Sequence, residues 1–404
     1  MDRGGRLGYV DCGVSSIPAN RRHILILTDR DWTHPEAGGT GTNLHGQVTR
    51  WLDWGHRVTI IAGDYPGAKR LERPRAHLEI HRMGTRLTVF PRAAWAVTAR
   101  GLGRDADVIL EVINGIAFYT PLWPRLRVPR VALCHHVHRE HYVHELGRRG
   151  RVAAELLESL PLRYLYSGTP MLTISEAACR DLVALGVPAC NIHVVYLGVD
   201  ELPFSPSPKG PVPTLLYLGR LKQYKRIEVV LDVLEKIPEA VLEIAGDGSH
   251  RAALETEIER RGLRDRVTLH GFVDERRKAE LYDTAWVTLT ASSAEGWCLT
   301  VLEAAARGTP SAALRVGGLP ESIVDGETGV LADGAEELAA RVSELIRSPE
   351  RRQRLGEAAR SRSREFTWEQ TATANLAVLD AAASTAPRRL RVRLRERLPA
   401  GRAA

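Results

Sequence analysis

Residues 285–308 read AWVTLTASSAEGWCLTVLEAAARG. The opening run, AWVTLTAS, is short, apolar and rich in residues that suit a pleated sheet, so it reads as a strand. Small and polar residues follow, then Gly296-Trp297-Cys298 turns the chain. A helix is expected from near Leu299 onward. A strand that leads through a loop into a helix is the building unit of a parallel sheet covered by helices.

The same unit recurs on both sides of this stretch. Upstream, RHILILTD (22–29) is a strand pattern, and NLHGQVTRWLDWG places Leu44, Val48, Trp51 and Leu52 on one helical face, with Gly55 as its stop. HRVTIIAG, ADVILEV (106–112), RVALCHH (130–136), PMLTISEAACRDLVALG (170–186) and IHVVYLGVD (192–200) continue the alternation. Then ELPFSPSPKGPVP (201–213) brings five prolines and little to bury, which marks a linker. Beyond it the alternation restarts with TLLYLGR, RIEVVLDVLEKI, AVLEIAGDG, HRAALETEIERRGL and RVTLHGFV. The expected fold is α/β, with two Rossmann-like doubly wound parallel-sheet domains facing a cleft. Residues 1–20 are expected to be a flexible N-terminus, 21–200 one domain, 214–366 the other and 386–404 a tail. The last helix, 367–385, could join either half or cross back to the N-terminal one.

Length and composition set limits. At 404 residues the chain exceeds one ordinary core and suggests about two domains. No apolar run approaches the roughly 20 residues of a membrane span, and the first 20 residues hold no apolar signal core, so a cytoplasmic protein is expected. The five cysteines are scattered and read as reduced thiols. The net charge of +7 resides almost wholly in the tail from Pro387, whose seven arginines and one glutamate carry +6. The basicity is therefore a tail property and not a nucleic-acid-binding face. Such a tail can touch anionic lipid or remain a solvated terminus.

Several motifs sit where strands give way to helices. In PEAGGTGTN, between the first strand and first helix, Gly38, Gly39 and Gly41 allow close backbone approach, and the helix start offers free N–H groups for a phosphate. An ordinary glycine turn is the alternative. The loop is not the spaced G-x-G-x-x-G fingerprint, which disfavours a dehydrogenase. In LGRLKQYKRIEVVLDVL, Arg220 and Lys225 lie past a strand end and at a helix start, an arrangement suited to a diphosphate. Solvated surface cations are the alternative. Gly246-Asp247-Gly248 forms a tight turn that either borders a nucleotide or simply joins strand to helix. Glu295 and Glu303 stand eight positions apart, one in the loop and one in the early turns of the helix. Carboxylates there can accept hydrogen bonds from adjacent sugar hydroxyls, with Gly296 admitting the ligand to the backbone. An acid pair favoured by the helix dipole is the competing reading.

Five of the fourteen histidines fall within ALCHHVHREHYVHELG, at positions 135, 136, 138, 141 and 144. His135, at a strand end on the expected cleft rim, could accept or relay a proton, with His138 second. A metal held by His138, His141 and His144 at helical spacing is the rival, although no acidic partner is evident. VINGIAFYTPLW (112–123) either lines an acceptor entrance or packs inside.

Taken in order, the GG loop, a histidine after a mid-domain strand, GVD before the linker, GRL…K, AGDG, HGFV and the E-x7-E pair in EGWCLTVLEAAARGTP resemble the retaining GT-B glycosyltransferases of the E-x7-E family (glycosyltransferase family 4-like, glycosyl transferases group 1). The resemblance covers about residues 22 to 370. It implies that a hexose passes from a nucleoside-diphosphate sugar to an acceptor hydroxyl with retention at the anomeric carbon and without a metal or other cofactor. It implies that Glu303 binds ribose, and that Glu295 with the backbone of Gly296, Trp297, Cys298 and Leu299 binds the donor sugar. It further implies that Arg220 and Lys225 grip the diphosphate, that Gly38, Gly39 and Gly246 border the donor, and that His135 lies near sugar and acceptor. Glu295, His135, Arg220 and Lys225 form the expected catalytic group, and His138 the acceptor side. The chain departs from the pattern at Trp297 (usually Phe), Cys298 (usually Gly), Leu197 (usually Asn), Arg226 (often Gly) and Ser311 (usually Val). A sugar-nucleotide epimerase of similar fold would need further cleft carboxylates, and a donor-binding regulator would be expected to lack one of the four charged residues. Base, sugar and acceptor stay unassigned, with a glycan, a lipid-linked molecule or a small molecule as acceptor classes.

Overall fold

A computed structural model describes residues 20–124, 126–139, 142, 147–200 and 209–385. The first sheet comprises β1 (His23–Leu27), β2 (Arg57–Ala62), β3 (Leu71–Glu72), β4 (Leu78–Arg82), β5 (Val108–Ile113), β6 (Arg130–Cys134), β7 (Met171–Thr173) and β8 (Ile192–Val194), in the order β3-β4-β2-β1-β5-β6-β7-β8. Every pairing is parallel except the short β3–β4 edge. Strands β1 and β5 are buried along their full length, as a sheet covered on both faces requires. The second sheet, wholly parallel, comprises β9 (Thr214–Leu218), β10 (Val241–Ala245), β11 (Val267–Gly271), β12 (Val287–Thr290), β13 (Ser311–Leu314) and β14 (Gly329–Ala332), ordered β11-β10-β9-β12-β13-β14.

Strand order reverses between β1 and β5 in the first sheet and between β9 and β12 in the second. Loops leaving such a pair at their carboxyl ends diverge to opposite faces and open a crevice. The loops that carry the sequence motifs follow β1, β6, β9, β10 and β12.

Helix α1 (Gly38–Asp53) starts earlier than its apolar pattern suggests. The glycine-rich segment, expected as a loop, forms its first turn, and Leu44, Val48, Trp51 and Leu52 are buried behind it. The first turn contributes no apolar residue, so periodicity could not report it.

The final helix, α12 (Trp368–Thr385), crosses back to the first half. Ala372, Leu376, Leu379 and Ala382 form one apolar stripe buried with Leu44, Val48 and Trp51. Burying Leu376 and Leu379 stabilises this docking by about 2 kcal/mol each. Trp51 Nε1 donates to the Ala372 carbonyl at 3.0 Å, and Arg22 pairs with Asp380 at 2.7 Å. The chain therefore passes between the halves twice, near residue 200 and near 366. The two crossings touch, since Val199 N donates to Phe366 O at 3.0 Å and a Cβ on Gly198 would meet the Thr367 carbonyl carbon at 2.2 Å. Most of the expected Pro-rich linker (201–208), the N-terminal segment (1–19) and the basic tail (386–404) lie outside the described residues. No described helix is long and apolar enough to cross a membrane.

Candidate active site

The two sets of loops enclose a cleft of about 440 Å³. It is lined from the first half by Gly38, Gly39, His135 and His136, and from the second by Arg220, Lys225, Gly246, the 294–300 segment and Glu303. All the residues expected in the site except His138 and Gly41 therefore border one space.

On the second half, the loops after β9 and β12 are tied together. Ser293 N donates to the Tyr224 carbonyl at 2.8 Å, and Lys225 Nζ donates to Glu295 Oε1, which also accepts from Ser292 Oγ at 2.7 Å. Burial alone would lower the Lys225 ammonium, but the facing Glu295 carboxylate outweighs it and holds the lysine charged, above its ordinary range. The expected diphosphate cation and sugar-binding carboxylate are thus direct partners. Arg220 reaches across toward the first half. Its Nη2 donates to Tyr224 Oη at 3.2 Å, and its guanidinium carbon lies 3.4 Å from where a Cβ on Gly38 would stand. Gly38 has φ +56°, left-handed backbone that favours glycine.

Glu303 lies on α8 (Leu299–Ala306), whose start matches the sequence expectation. Tyr282 Oη donates to its Oε2 at 2.8 Å and Lys278 Nζ to its Oε1 at 3.0 Å, both from α7 (Glu275–Thr284). The carboxylate is thereby pinned with a lone pair on each oxygen to spare. Burial works against the charge on Lys278, and Glu303 and Glu275 together raise it again. Sequence reading missed Lys278, which stands in an unremarkable charged helix. It also missed Phe272, whose ring is 88% exposed yet borders the cleft. A large exposed apolar side chain beside a cavity is a recognition feature that burial patterns in sequence do not mark.

Backbone packing explains the glycines. A Cβ on Gly296 would lie 3.0 Å from the His135 carbonyl oxygen, so the halves press together at this residue. Gly317 and Gly318 press on the carbonyls of Glu295 and Gly296 at hypothetical Cβ distances of 2.1 and 2.0 Å. The downstream GGLPES segment thus buttresses the turn that carries Glu295. Gly246 sits against Gly219 in the same way, at 1.9 Å. Gly41, expected to face a ligand, instead packs against Ala37 and Trp32 and does not border the cleft. Two departures from the family pattern take left-handed backbone, Cys298 at φ +73° and Arg226 at φ +50°. Glycine adopts that region freely and other residues at a cost, which is why glycine is common there.

Trp297 borders the cleft but is almost wholly buried. Its side chain is 1% exposed and packs with Ile174, Leu197, Leu302 and Trp368. Its ring stacks on Tyr196 with centroids 4.5 Å apart.

On the first half, His135 follows β6 and is 4% exposed. Burial pushes its pKa down to about 4, with His138 adding to the shift, so the ring is neutral at physiological pH. Its Nε2 lies 2.8 Å from Asn43 Nδ2 on α1. His136, rather than the expected His138, borders the cleft. His138 stacks on His136 at 4.2 Å, and its backbone N–H donates to both oxygens of buried Glu158 at 2.8 and 3.0 Å. The sequence expectation erred there because the chain turns sharply after β6 to satisfy Glu158. His141 and His144, invoked for a metal, lie outside the described residues, and no group of three or more His, Cys, Asp or Glu with metal-binding geometry occurs among those described. The 112–123 segment is mainly buried. Glu111 gathers it by accepting from Phe118 N at 2.7 Å and from the hydroxyls of Thr120 and Tyr166.

Comparison with known proteins agrees with this geometry. The chain matches the model for glycosyl transferases group 1 over residues 199–362 and that for glycosyltransferase family 4 over 37–201. It is 37% identical over 234 residues to the D-inositol 3-phosphate glycosyltransferase of Xylanimonas cellulosilytica, covering 52% of this chain and 56% of the relative. It is 29% identical over 231 residues to the sulfoquinovosyl transferase of Arabidopsis thaliana, covering 52% and 44%. The chain spans about half the length of the curated relatives it matches. Among solved structures, sucrose-phosphate synthase from Thermosynechococcus elongatus superposes with a TM-score of 0.79 at 20% identity, over 90% of this chain and all of that one. Anabaena HepE in complex with UDP-glucose gives 0.71 at 18%, over 90% and 100%. These structures share its GT-B fold. The two family models abut near residue 200 and between them take in both halves of the cleft; the chain belongs to the family 4, group 1 glycosyltransferases.

Proposed function

We propose that this protein transfers a hexose from a nucleoside-diphosphate sugar to an acceptor hydroxyl, with retention at the anomeric carbon and without a metal ion. The observation that carries this reading is the Lys225–Glu295 pair at the second switch point, with Arg220 placed opposite the start of α1. A leaving diphosphate needs charge neutralisation, and Arg220, Lys225 and the N–H groups at the start of α1 supply it. Glu295 holds the sugar hydroxyls and Glu303 the ribose, and both carboxylates are oriented by neighbours before the donor arrives. Phe272 offers a face on which the base stacks. The complex of HepE, a protein of this fold, with UDP-glucose and the sugar-transfer names of the curated relatives support this reading.

The test is thermal stabilisation by UDP, GDP and their sugar conjugates in the presence of EDTA, followed by NMR of the anomeric configuration of any product. Stabilisation by one nucleotide that persists in EDTA, with an α-linked product from an α-linked donor, is expected. No shift with any nucleotide sugar removes the donor site. Loss of the shift in EDTA removes metal independence, and an inverted product removes retention.

A further inference from the structure

Four buried side chains form a single file between the last helix and the cleft. Asn43 and Gln47 lie one turn apart on α1 and are wholly buried, Asn375 on α12 is 2% exposed, and His135 is 4% exposed. Asn375 Nδ2 donates to Gln47 Oε1 at 2.7 Å, Gln47 Nε2 to Asn43 Oδ1 at 2.5 Å, and Asn43 Nδ2 meets His135 Nε2 at 2.8 Å. A carboxamide has one donor end and one acceptor end. The three amides must therefore share one polarity, because turning any one alone sets donor against donor or acceptor against acceptor. Reversing all three would bury the Asn375 NH₂ group where only its carbonyl oxygen now stands without a partner among the described residues. Either direction leaves one buried N–H without a partner among the described residues, at Asn375 or at His135 Nδ1; only His135 borders the cleft, where a ligand can accept it, and this favours the direction in which Asn375 donates to Gln47. Under that direction His135 Nε2 holds a lone pair and the proton sits on Nδ1. Nδ1 is itself buried with no partner among the described residues, and His135 borders the cleft.

We propose that Gln47 and Asn375 are positioning residues whose amide relay, acting through Asn43, fixes His135 as the Nδ1–H tautomer, so that it meets the ligand as a hydrogen-bond donor and not as a proton acceptor. The sequence expectation of a histidine that accepts or relays the acceptor proton is replaced by this role. The relay also gives the crossing of α12 a function beyond covering the first sheet, since the last helix supplies the residue that sets the tautomer. The placement of His135 beside the donor rests on the proposed function; its tautomer does not.

The experiment is tautomer assignment by long-range ¹H–¹⁵N correlation on the full chain labelled with ¹⁵N-histidine, at about pH 8 where histidine is neutral, with His135→Gln to identify the signal. Wild type is expected to show Nδ1–H. Asn375→Asp keeps the shape but offers only acceptors when ionised, so it accepts from Gln47 and reverses the file, and His135 should switch to Nε2–H. Gln47→Glu should force the same switch on Asn43 and serves if Asn375→Asp does not fold, with circular dichroism as the check. An Nε2–H ring in wild type overturns the proposal on its own, as does an unchanged tautomer in a folded variant. Where turnover is measurable, the switch should lower kcat by about 10- to 100-fold and leave the donor KM nearly unchanged. Absence of any turnover would count against glycosyl transfer and leave the tautomer measurement standing.

Discussion

The indole N–H of Trp297 donates to the carbonyl of Leu197 at 3.1 Å, across the junction of the two halves. Both residues depart from the family pattern, and they meet each other. Tyr196, Phe366 and Trp368, which flank the two chain crossings, complete the cluster around them. The turn that bears Glu295 is therefore anchored to the hinge by its own neighbour. Trp297→Phe should lose this hydrogen bond and part of the packing, lowering stability by about 1–2 kcal/mol. Urea unfolding followed by circular dichroism measures it, and an unchanged midpoint would mean that the junction does not limit stability.

Glu295 and Glu303 should separate kinetically. Glu295→Gln removes the partner of Lys225 and, on the proposed function, a sugar ligand, and should cut kcat by about 100-fold with nucleotide affinity nearly unchanged. Glu303→Gln should instead weaken nucleotide binding by about tenfold, the loss of a charge-assisted hydrogen bond. Calorimetric titration with the nucleotide together with initial rates distinguishes the two, and equal small effects from both would refute the division of roles.

Phe272→Ala should weaken nucleotide binding by about 1–3 kcal/mol, the usual contribution of one aromatic stack on a base, with little change in melting temperature because the ring is exposed. Nucleotide affinity retained at the wild-type level would exclude the ring as a base platform.

Arg226 holds left-handed backbone and its side chain is exposed. Arg226→Gly should raise stability by about 1 kcal/mol by removing that strain. A thermal melt reads this, and a lowered melting temperature would show that the arginine side chain contributes more than the backbone costs.

The folded pKa of His135, about 4, lies below the value near 6.5 expected for an unfolded chain. Between these values the unfolded state binds more protons, so stability is intact above pH 6.5 and falls as pH drops toward 4. The full effect is roughly 3 kcal/mol. Asp29 and His138 are the charged neighbours, the first opposing and the second adding to the shift. His135→Gln should flatten this part of the stability profile. A variant whose acid sensitivity matches wild type would place the neutral ring elsewhere.

Much of this molecule could be read from the order of its residues. Alternating strand and helix patterns such as RHILILTD and RIEVVLDVL determine two parallel sheets, because a strand buried on both faces must be apolar throughout and a helix on one face need be apolar only on a stripe. That Glu295, Arg220 and Lys225 would meet at one cleft was legible because each follows a strand end, where loops converge whatever the sheet's details, and Glu303 because it lies early in the helix that follows. The tertiary structure decided the rest. That Lys225 pairs with Glu295, that Leu197 meets Trp297, that Lys278 orients Glu303 and that Asn375 reaches His135 through two amides are contacts between segments 25 to 328 residues apart or linked in series. No local period encodes them. Left-handed backbone at Cys298 and Arg226 was equally hidden, since neither residue favours it and only the close packing of the surrounding turns imposes it.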